Sequence, residues 1–548
     1  MTDSYKLPLE ILYQWEQQTP DKIYFHQPRL GKMETYTWKE VGNQVRRVAA
    51  WLKALNLEPG SNIGILSKNC AHWIMADMAI WMSGHVSVPL YPNLTAHTIN
   101  QIMTHSGSKL LFVGKLDGWE DMKPGVPGDV QCVSFPYGTT HEYKNWEDIV
   151  AETQPLTENP PRDKDEIATI IYTSGTTGMP KGVVHRFYAM AFAITNYVSL
   201  MNMSHEKFFS YLPLSHVAER VLAEMGSLYS CSEVTFAESL DTFAQNLRDA
   251  SPTVFLGVPR IWSKFQLGIL AKLPQEKLDR LLSIPLVSFF IKKKLKKALG
   301  LSRVKVAITG AAPMPESLMV WYQKLGIEIL EAYSMTENFA YSHLTRPHMV
   351  HVGYVGQPLP HNDVKLSAEG EVLVKSETTM LEYYKEPEKT AEVMTNGYLR
   401  TGDQGAIDKD GYLKITGRVK DLFKTSKGKY VAPTPIEKKF ATDPMIEQVC
   451  LVGAGLPQPI VLLVLSDIGN SLAHHEVSDR LKALMASINS TLDSHERVQK
   501  AVLVKSPWTV ENELLTPTMK VKRNVIEKMY QSQVEQWDQL KETIIWEQ

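Results

Sequence analysis

The chain has 548 residues, of which 44% are hydrophobic and 22% are charged. A single hydrophobic core stops growing at about 250–300 residues, so this length predicts two or more domains. Its 58 Lys and Arg residues balance 60 Asp and Glu residues, and this excludes the overall basic field that favours nucleic acid. No apolar run reaches the roughly 18 residues that span a bilayer, and the N-terminal segment lacks the pattern of a secretion signal. We therefore expect a cytoplasmic protein without a nucleic-acid partner.

The first part of the chain has the alternating pattern of an α/β protein. Between about residues 8 and 133, helical patterns such as 38–55 alternate with short apolar strand patterns such as 62–66 and 109–113. A polar, proline-rich segment at 153–166 predicts a surface connection, and the alternation resumes through 252–258 and 304–310. These patterns predict one large N-terminal α/β domain, with layered sheets and helices, over residues 1–419.

The pattern changes near residue 353. Short strand patterns punctuated by glycine follow, as in GEVLVKS, GYLRTGD and GYLKITG, and they predict a small β-rich subdomain. From about residue 420 a compact α/β pattern begins, with helices expected near 435–440 and 478–492 and a strand at 461–465. We place the boundary at Lys420, which gives a C-terminal domain over 420–548.

Residues 170–185 read IIYTSGTTGMPKGVVH, which is an apolar strand pattern, a loop of glycines and hydroxyls, and a second short strand. Such a loop can bring backbone N–H groups close to an anion, and Lys181 adds a positive charge at its exit. The expected ligand is a polyphosphate. The alternative is a hairpin turn whose hydroxyls only satisfy their own backbone.

The same loop does not have the spacing of a Walker-type P-loop. That motif needs a second glycine just before the lysine and a Ser or Thr just after it, whereas Pro180 and Gly182 stand there. Any metal must therefore take its oxygen ligand from elsewhere in the chain.

Five motifs stand in a fixed order: the loop above, YSMTE from Tyr333, TGD from Thr401, GRVKD from Gly417 and LTPTMKVKR from Leu515. In this order the chain resembles the adenylate-forming (ANL) superfamily from end to end. VPRIWSK, LTPTMKVKR and GKYVAP resemble the long-chain fatty-acyl-CoA synthetases, although the chain lacks the extra length of the larger members. The resemblance implies a two-step reaction. A carboxylate and ATP give acyl-AMP and pyrophosphate, and coenzyme A then displaces AMP to give a thioester.

The resemblance also implies roles for residues around the nucleotide. Glu337 matches the Mg²⁺ ligand, and Thr336 matches the residue that bonds the α-phosphate. The residues that match the binding site for the β- and γ-phosphates are those of the loop: Thr173, Ser174, Gly175, Thr176, Thr177, Gly178 and Lys181. Tyr333 matches the ring that packs on one face of adenine, next to Glu331 and Ala332. The small residues Gly310, Ala311 and Ala312 match the segment on the other face of the base.

Five more residues match family positions towards the C-terminus. Asp403 can accept hydrogen bonds from both ribose hydroxyls, and Arg418 can add charge near the same sugar and phosphate. Lys520 matches the lysine that bridges the carboxylate and the α-phosphate. Lys420 matches the hinge about which a mobile small domain turns between half-reactions, and Gly428 would then face the coenzyme A arm. The simpler interpretations are a plain turn for TGD, and solvated basic residues for Arg418, Lys420 and Lys520.

The acyl site is less defined in the sequence. His216 in LPLSHVAER matches a position that lines the carboxylate end, and Trp262 matches an indole that gates the fatty-acid tunnel of the long-chain family. A single Trp in an apolar segment is more often part of a core.

The segment FIKKKLKKALG, which overlaps the range 286–299 and ends at Gly300, has a basic helical pattern. Its wheel puts Ile291, Leu295, Ala298 and Leu299 on one face and the lysines 292, 293, 296 and 297 on others. One interpretation is a solvated helix packed on the domain. The other is a peripheral membrane contact, in which an interfacial helix touches anionic lipid.

Together these features predict an acyl-CoA synthetase for medium or long fatty acids that uses ATP, Mg²⁺ and coenzyme A. An aryl- or other acid-CoA ligase, and an acyl-AMP ligase that loads a carrier-protein thiol, are the alternatives. A non-catalytic nucleotide- or lipid-binding protein is disfavoured because Glu337, Asp403 and Lys520 are all present. The length of the acid, the thiol acceptor and the oligomeric state stay open at this point.

Overall fold

The structure, a computed structural model, describes residues 5–173 and 179–547. The chain forms two compact units. The first comprises Met1–Ala312, Leu318–Asp363 and Val374–Leu399, and the second comprises Pro313–Ser317, Val364–Leu373 and Arg400–Gln548.

The strands carry chain-order labels. They are β1 (Ile23–Arg29), β2 (Lys32–Thr37), β3 (Asn62–Leu66), β4 (Val86–Leu90), β5 (Leu110–Val113), β6 (Gln131–Ser134), β7 (Lys144–Asn145), β8 (Ile167–Thr173), β9 (Lys181–Arg186), β10 (Lys207–Ser210), β11 (Glu233–Phe236), β12 (Val254–Leu256), β13 (Val306–Thr309), β14 (Ile329–Tyr333), β15 (His343–Leu344), β16 (Gln357–Pro358), β17 (Asp363–Leu366), β18 (Glu371–Lys375), β19 (Met394–Thr395), β20 (Tyr398–Ile407), β21 (Leu413–Arg418), β22 (Phe423–Lys424), β23 (Tyr430–Val431), β24 (Ile446–Val452), β25 (Ile460–Leu465), β26 (Lys500–Leu503) and β27 (Ile544–Trp546).

The helices are labelled in the same way. They are α1 (Pro8–Gln18), α2 (Trp38–Ala54), α3 (Ala71–Met82), α4 (Ala96–Ser106), α5 (Trp119–Met122), α6 (Trp146–Glu152), α7 (Phe187–Leu200), α8 (Val217–Glu219), α9 (Gly226–Tyr229), α10 (Phe243–Ala250), α11 (Pro259–Leu270), α12 (Gln275–Leu282), α13 (Pro285–Ala298), α14 (Glu316–Lys324), α15 (Pro387–Val393), α16 (Pro433–Phe440), α17 (Asp467–Asn470), α18 (His474–Asn489) and α19 (Arg523–Gln539). Short 3₁₀ turns lie at Lys123–Gly125, Thr336–Asn338 and Val419–Asp421, and a π-helical turn lies at Arg220–Met225.

Helix α2 shows how local sequence sets an element. Thr37 and Glu40 form a reciprocal capping box, in which Glu40 N–H donates to Thr37 Oγ1 at 3.2 Å and Thr37 N–H donates to Glu40 Oε2 at 2.7 Å. The buried residues Val41, Val45 and Val48 follow at helical spacing and face the core. The predicted helix is therefore observed in the structure.

Two large sheets lie in the described part of the first unit. Their strand orders are β16-β15-β14-β13-β12-β10-β11-β1-β2 and β7-β6-β5-β3-β4-β8-β9. Strands β3, β4 and β5 are buried along their whole length and pair in parallel, as expected for strands covered on both faces. The last pair, β8 and β9, is antiparallel, with Thr173 opposite Lys181.

A segment of the same unit that is distant in sequence pairs with strand β9 at the edge of its sheet. Val184 N–H donates to Glu382 O at 3.0 Å, Leu381 N–H donates to Val184 O at 2.9 Å, and Tyr384 N–H donates to Gly182 O at 2.7 Å. The segment 381–384 therefore lies alongside β9 and pairs with it through backbone hydrogen bonds, as a short neighbouring strand would.

The second unit contains a sheet of order β24-β25-β26-β27. One buried cluster on this sheet includes Ile436 and Phe440 of α16 with Leu481 of α18, and the other includes Ile526 and Tyr530 of α19. Helices thus cover both faces of this sheet. The sequence-based prediction of a compact α/β region beyond residue 420 agrees with this arrangement, whereas the boundary at Lys420 stays a prediction.

Helix α13 differs in one detail from its wheel. Ser288 is buried and Ile291, Leu295 and Leu299 are half-buried, whereas Ala298 is exposed. The helix ends at Ala298, and Gly300 then adopts a φ of +76°, so Leu299 and not Ala298 is the covered residue of this last turn. Within the described parts of the chain, every helix falls short of the length and hydropathy that a membrane crossing requires.

Candidate active site

The turn Thr336–Asn338, which follows β14, is held on two sides. His185 Nε2 lies 2.7 Å from the backbone oxygen of Thr336. Met380 N–H donates to the backbone oxygen of Glu337 at 2.7 Å, and the Tyr383 hydroxyl donates to Glu337 Oε1, also at 2.7 Å. Hydrogen bonds therefore hold the backbone of both residues, which are assigned to the α-phosphate and the metal, and also the side chain of Glu337.

The protonation states of the two supporting side chains follow from their burial. Burial, with Glu337 close by, raises the pKa of Tyr383, so its phenol stays protonated and donates to the carboxylate. Burial lowers the pKa of His185 to about 4, so its imidazole is neutral at pH 7. Because a carbonyl oxygen can only accept, the proton of this imidazole lies on Nε2 and points at Thr336.

Lys181 lies at the start of β9, and its ammonium stands 4.7 Å from the centre of the Tyr383 ring. This is within the range of a cation–π contact. Thr173, at the end of β8, pairs with Lys181 and donates from its hydroxyl to the Lys181 backbone oxygen at 3.5 Å. The other predicted phosphate-binding residues, Ser174, Gly175, Thr176, Thr177 and Gly178, lie outside the described residues.

The residues predicted to hold adenine lie at the ends of β13 and β14. Tyr333 pairs with His343 of β15, and their rings lie 5.9 Å apart. Burial lowers the pKa of His343 to about 3, so a neutral ring stands beside Tyr333. Glu331 is buried, and its N–H donates to Thr345 Oγ1 at 2.6 Å. Ala332 follows Glu331 in β14.

The segment Gly310–Ala312 has a constrained backbone. A Cβ on Gly310 would lie 3.2 Å from the backbone oxygen of Ala332, which is tighter than usual. Ala311 adopts a φ of +63°, a left-handed conformation that is uncommon for a residue with a side chain. Ala311 and Ala312 are exposed. Close approach of two backbones explains the glycine, and local strain of this kind concentrates at functional sites.

In the second unit the TGD motif forms an ordered turn. Thr401 donates from its hydroxyl to Val372 O at 2.8 Å and accepts from Asp403 N–H at 3.1 Å, while Gly402 has a φ of +72°. Asp403 stands opposite Arg418, and Arg418 Nε donates to Asp403 Oδ1 at 2.9 Å. The structure therefore brings together two residues that the sequence placed near the ribose.

The remaining predicted residues of the second unit lie in exposed turns. Lys420 is in the 3₁₀ turn Val419–Asp421. Gly428 has a φ of +77° in the turn between β22 and β23. Lys520 lies on a loop that is closed by a bridge between Leu515 and Val521 and by the bond from Thr516 N–H to Lys520 O at 2.8 Å.

The two residues predicted for the acyl site differ in their surroundings. His216 caps the first turn of α8, where its Nδ1 accepts from Ala218 N–H at 3.2 Å. Trp262 is fully buried in α11, and its indole donates to Gly257 O at 2.8 Å. Its ring packs against Phe255 and Tyr322. The role of Trp262 as a gate stays a prediction.

Sequence reasoning missed His185 and Tyr383. Tyr383 is 46 residues from Glu337, and His185 is 151 residues from Thr336, so no local spacing could connect them. The one local signal for Tyr383 was the tyrosine pair at 383 and 384, because tyrosine is enriched in strands.

The chemistry of the donor set fits a magnesium ion that is bound with a nucleotide. Among the described residues, no group of three or more His, Cys, Asp and Glu side chains is arranged to hold a metal. Glu337 provides one carboxylate at this position. Mg²⁺ is commonly bound by one or two carboxylates together with substrate phosphates and water.

Comparison with known proteins identifies the family. A family model described as an AMP-binding enzyme matches residues 12–384, and one described as the AMP-binding enzyme C-terminal domain matches residues 420–539. The chain belongs to the AMP-binding enzyme family. The predicted resemblance to adenylate-forming enzymes is thereby confirmed.

Relatives of this AMP-binding enzyme align over almost all of it. A long-chain-fatty-acid–CoA ligase of Mycobacterium bovis is 27% identical, with 96% of each chain covered. A long chain acyl-CoA synthetase of Arabidopsis thaliana is 28% identical over 97% of this chain and 90% of its own.

A solved structure of an anthranilate CoA ligase with anthranoyl-AMP superposes with a TM-score of 0.80. It is 20% identical, with 97% of this chain and 98% of that chain covered. This likeness confirms the predicted fold class, a large α/β adenylation domain with a small C-terminal domain.

Proposed function

We propose that this AMP-binding enzyme is an ATP-dependent acyl-CoA synthetase that activates a medium- or long-chain fatty acid as acyl-AMP and transfers the acyl group to coenzyme A. The observation that carries this proposal is the Thr336–Glu337 turn, which is held by His185 and Tyr383. A carboxylate and a backbone segment fixed in this way suit a reaction at a phosphate. The substrate class is supported by the names of the relatives, which are ligases and synthetases for long-chain acids.

The first half-reaction brings two anions together, because a carboxylate attacks the α-phosphate. We assign Lys181 to the departing β- and γ-phosphates, Thr336 to the α-phosphate and Lys520 to the space between carboxylate and phosphate. Glu337 would hold Mg²⁺, which neutralises phosphate charge when it is bound with ATP. The ring of Tyr333 would pack on adenine, and Asp403 would accept from the ribose hydroxyls.

The second half-reaction needs a different arrangement, since pyrophosphate has left and a thiol must reach the mixed anhydride. We propose that residues 420–548 act as a mobile domain that turns about Lys420, so that Lys520 leaves and Gly428 approaches. The exposed position of Lys420 in a short turn, and the exposed loops that carry the other two residues, support this assignment.

Two alternatives share the same nucleotide chemistry. An aryl- or other acid-CoA ligase is supported by the similar fold of the anthranilate CoA ligase. An acyl-AMP ligase that loads a carrier-protein thiol differs only in the acceptor. The first alternative changes the acid that is activated, and the second changes the product of the second step.

A single incubation separates these functions. The protein is mixed with ATP, Mg²⁺, coenzyme A and a panel of short, medium, long and aromatic acids, and the thioesters are identified by mass. We expect thioesters of medium or long fatty acids, and none from the variant Glu337→Gln. Aromatic thioesters alone would favour the aryl-CoA ligase. Fatty acyl-AMP without thioester would favour a carrier-protein acceptor, and no acyl-AMP from any acid would contradict the proposed function.

We also propose a peripheral contact between helix α13 and an anionic membrane surface, within 286–299. Leu286 is 76% exposed, and Phe289 and Phe290 are each 62% exposed. Lys293 and Lys297 are exposed further along the same helix. Lys296 differs from them, because its ammonium donates to Gly326 O at 2.5 Å. Large apolar side chains beside a basic run suit the boundary between headgroups and acyl chains.

The charge around α13 favours a lipid over a protein of mixed charge. From residue 280 to residue 315 there is no acidic residue, and the basic ones are Arg280, Lys292, Lys293, Lys294, Lys296, Lys297, Arg303 and Lys305. This block is basic within a chain whose formal charge is −2. A phosphatidylserine-rich surface is the complementary partner.

Vesicle binding tests this contact. Phe289→Ser with Phe290→Ser, and separately Lys293→Glu with Lys297→Glu, should each lower cosedimentation with phosphatidylserine vesicles in low salt. The pair Lys482→Glu with Lys528→Glu, at exposed lysines of the second unit, is the matched control and should bind like the wild type. Unchanged binding of both α13 variants would leave a solvated helix as the interpretation. Concentration-dependent self-association that the serine variants abolish would instead assign the surface to a second copy.

A further inference from the structure

Tyr383 contacts both the lysine at the end of the predicted phosphate loop and the predicted metal ligand. Its hydroxyl donates to Glu337 Oε1 at 2.7 Å, and the Lys181 ammonium stands 4.7 Å from the centre of its ring. The side chain is nearly fully buried, with 3% of the residue exposed. One ring thus has a cation near its π system and an acidic side chain at its hydroxyl.

The position of this ring is set by backbone pairing. Tyr383 is bridged to Val183, two residues beyond Lys181 in the same strand. The N–H of Tyr383 donates to Thr390 Oγ1 at 2.9 Å, and the next residue donates to Gly182 O at 2.7 Å. Since β9 carries Lys181, the ring keeps a constant position relative to the lysine.

In the hydrogen bond between Tyr383 and Glu337, the phenol is the donor and the carboxylate is the acceptor. A protonated phenol donates one hydrogen bond, and an ionised carboxylate can only accept. A hydrogen bond to a charged group is stronger than one between neutral groups, and it restrains the rotation of the Glu337 side chain. A phenylalanine would fill the same volume but would leave this carboxylate oxygen without its buried donor.

We propose that Tyr383 is a positioning residue for adenylation, which holds the Glu337 carboxylate at a fixed place relative to the Lys181 ammonium. The inference rests on the proposed function, in which Glu337 serves the metal and Lys181 serves the phosphates. Through this one side chain, the metal ligand and the phosphate-binding cation are presented to the same nucleotide in a constant geometry.

The variant Tyr383→Phe tests the hydroxyl alone, because it keeps the ring beside Lys181. We expect fatty-acid-dependent ATP–pyrophosphate exchange to fall roughly tenfold, in line with loss of one hydrogen bond to a charged group. The Mg²⁺ concentration for half-maximal exchange should rise several-fold. Thioester formation from supplied acyl-AMP and coenzyme A should stay within about twofold of the wild type, since pyrophosphate and its metal have left by then.

The matched control is Tyr384→Phe. The hydroxyl of this neighbouring tyrosine accepts from Asn62 at 3.3 Å, away from Glu337, and the substitution should leave the Mg²⁺ dependence unchanged. A double-mutant cycle adds Glu337→Gln. If the hydroxyl acts through Glu337, Tyr383→Phe should cause little further loss of exchange in the Glu337→Gln background.

Direct binding gives a readout that does not depend on turnover. Calorimetry measures ATP affinity with and without Mg²⁺, and the gain in affinity that Mg²⁺ brings should shrink several-fold in Tyr383→Phe but not in Tyr384→Phe. A gain equal to that of the wild type, or full additivity with Glu337→Gln, would overturn the positioning role. The proposed function fails in a different way, when the wild type forms no acyl-AMP from any acid, and the binding comparison still decides the role of Tyr383 in that case.

Discussion

Asp403 and Arg418 stand directly opposite each other on strands β20 and β21, and the Arg418 Nε–H donates to Asp403 Oδ1 at 2.9 Å. The Asp403 side chain is 16% exposed and the Arg418 side chain is 57% exposed. The arginine therefore covers a carboxylate that is mostly enclosed. An ordered carboxylate of this kind suits the two hydroxyls of a ribose.

Asp403→Ala should weaken ATP use strongly. The ribose would lose a charged acceptor worth roughly 1.5–3 kcal/mol, which is a change of about 10- to 150-fold in kcat/KM for ATP. Arg418→Ala should cost less, because the carboxylate remains and its partner is largely exposed. Steady-state kinetics with ATP as the varied substrate measures both variants. Near-normal ATP kinetics in Asp403→Ala would remove the ribose assignment.

Lys520→Ala should separate the two half-reactions. Adenylation needs a cation between carboxylate and α-phosphate, so formation of acyl-AMP should fall on the order of 10²-fold or more. Thioester formation from supplied acyl-AMP should stay close to the wild-type rate. Single-turnover assays of each step make the comparison. Equal slowing of both steps, or of neither, would make the lysine structural or solvated.

Lys420→Pro should show the mirror pattern. Proline fixes φ and removes an N–H, so a turn about this residue should be hindered after adenylation is complete. We expect near-normal exchange of ATP with pyrophosphate and slow thioester formation. Slow exchange with normal thioester formation would contradict the role of Lys420 as a hinge.

Trp262→Ala should lower the stability of the fold and also change the preference for the chain length of the acid. The indole is fully buried, and its removal should cost about 3–5 kcal/mol of unfolding free energy, as for other large buried aromatic residues. In the folded fraction, the preference for acid length should change while saturation by ATP stays nearly unchanged. Denaturant unfolding and kinetics with acids of several lengths test this. If Trp262→Phe restores stability but leaves acid preference like the wild type, the indole is a core residue only.

The burial of His72 leads us to expect that the protein loses stability in acid. Burial lowers the pKa of His72 to about 3 in the folded protein, whereas an unfolded histidine titrates near 6.5. Below pH 6.5 the unfolded chain takes up a proton that the folded chain does not, so stability falls as pH falls towards 3. Between pH 7 and pH 5 this group should cost up to roughly 2 kcal/mol.

The comparison of His72→Phe with the exposed His97→Phe isolates this effect. Denaturant unfolding at pH 7 and pH 5 should show a smaller difference for His72→Phe than for the wild type, and an unchanged difference for His97→Phe. The same acid sensitivity in all three proteins would show that other groups cause it.

Local patterns predicted elements better than they predicted contacts. The sequence predicted a helix at 38–55 and a strand at 62–66, and the structure has Trp38–Ala54 and Asn62–Leu66, because caps and hydrophobic periodicity act over a few residues. The two strand patterns predicted within 170–185 likewise correspond to β8 (Ile167–Thr173) and β9 (Lys181–Arg186). The contacts of His185 and Tyr383 with the Thr336–Glu337 turn depend on the packing of distant segments, which periodicity does not encode.

The assignment of residues to the site from motif order stays a prediction, and the structure adds how some of these residues are held. Asp403 and Arg418 were both expected near one sugar, yet their direct pairing follows from the register of β20 with β21. The wheel of α13 placed Ala298 on the packed face, but the helix ends there. Such ends and registers are set by several neighbouring residues at once, so single-residue patterns describe them poorly.

Because the segment 381–384 pairs with β9, the edge of β9 stays unpaired during synthesis until that segment has been made. During synthesis β9 leaves the ribosome roughly 200 residues before its partner, since Val184 bonds to Leu381 and Glu382. Until then the outer edge of β9 offers unpaired N–H and C=O groups to other chains. A product that stops before residue 381 should therefore aggregate through this strand, and one that extends through 384 should expose fewer such groups.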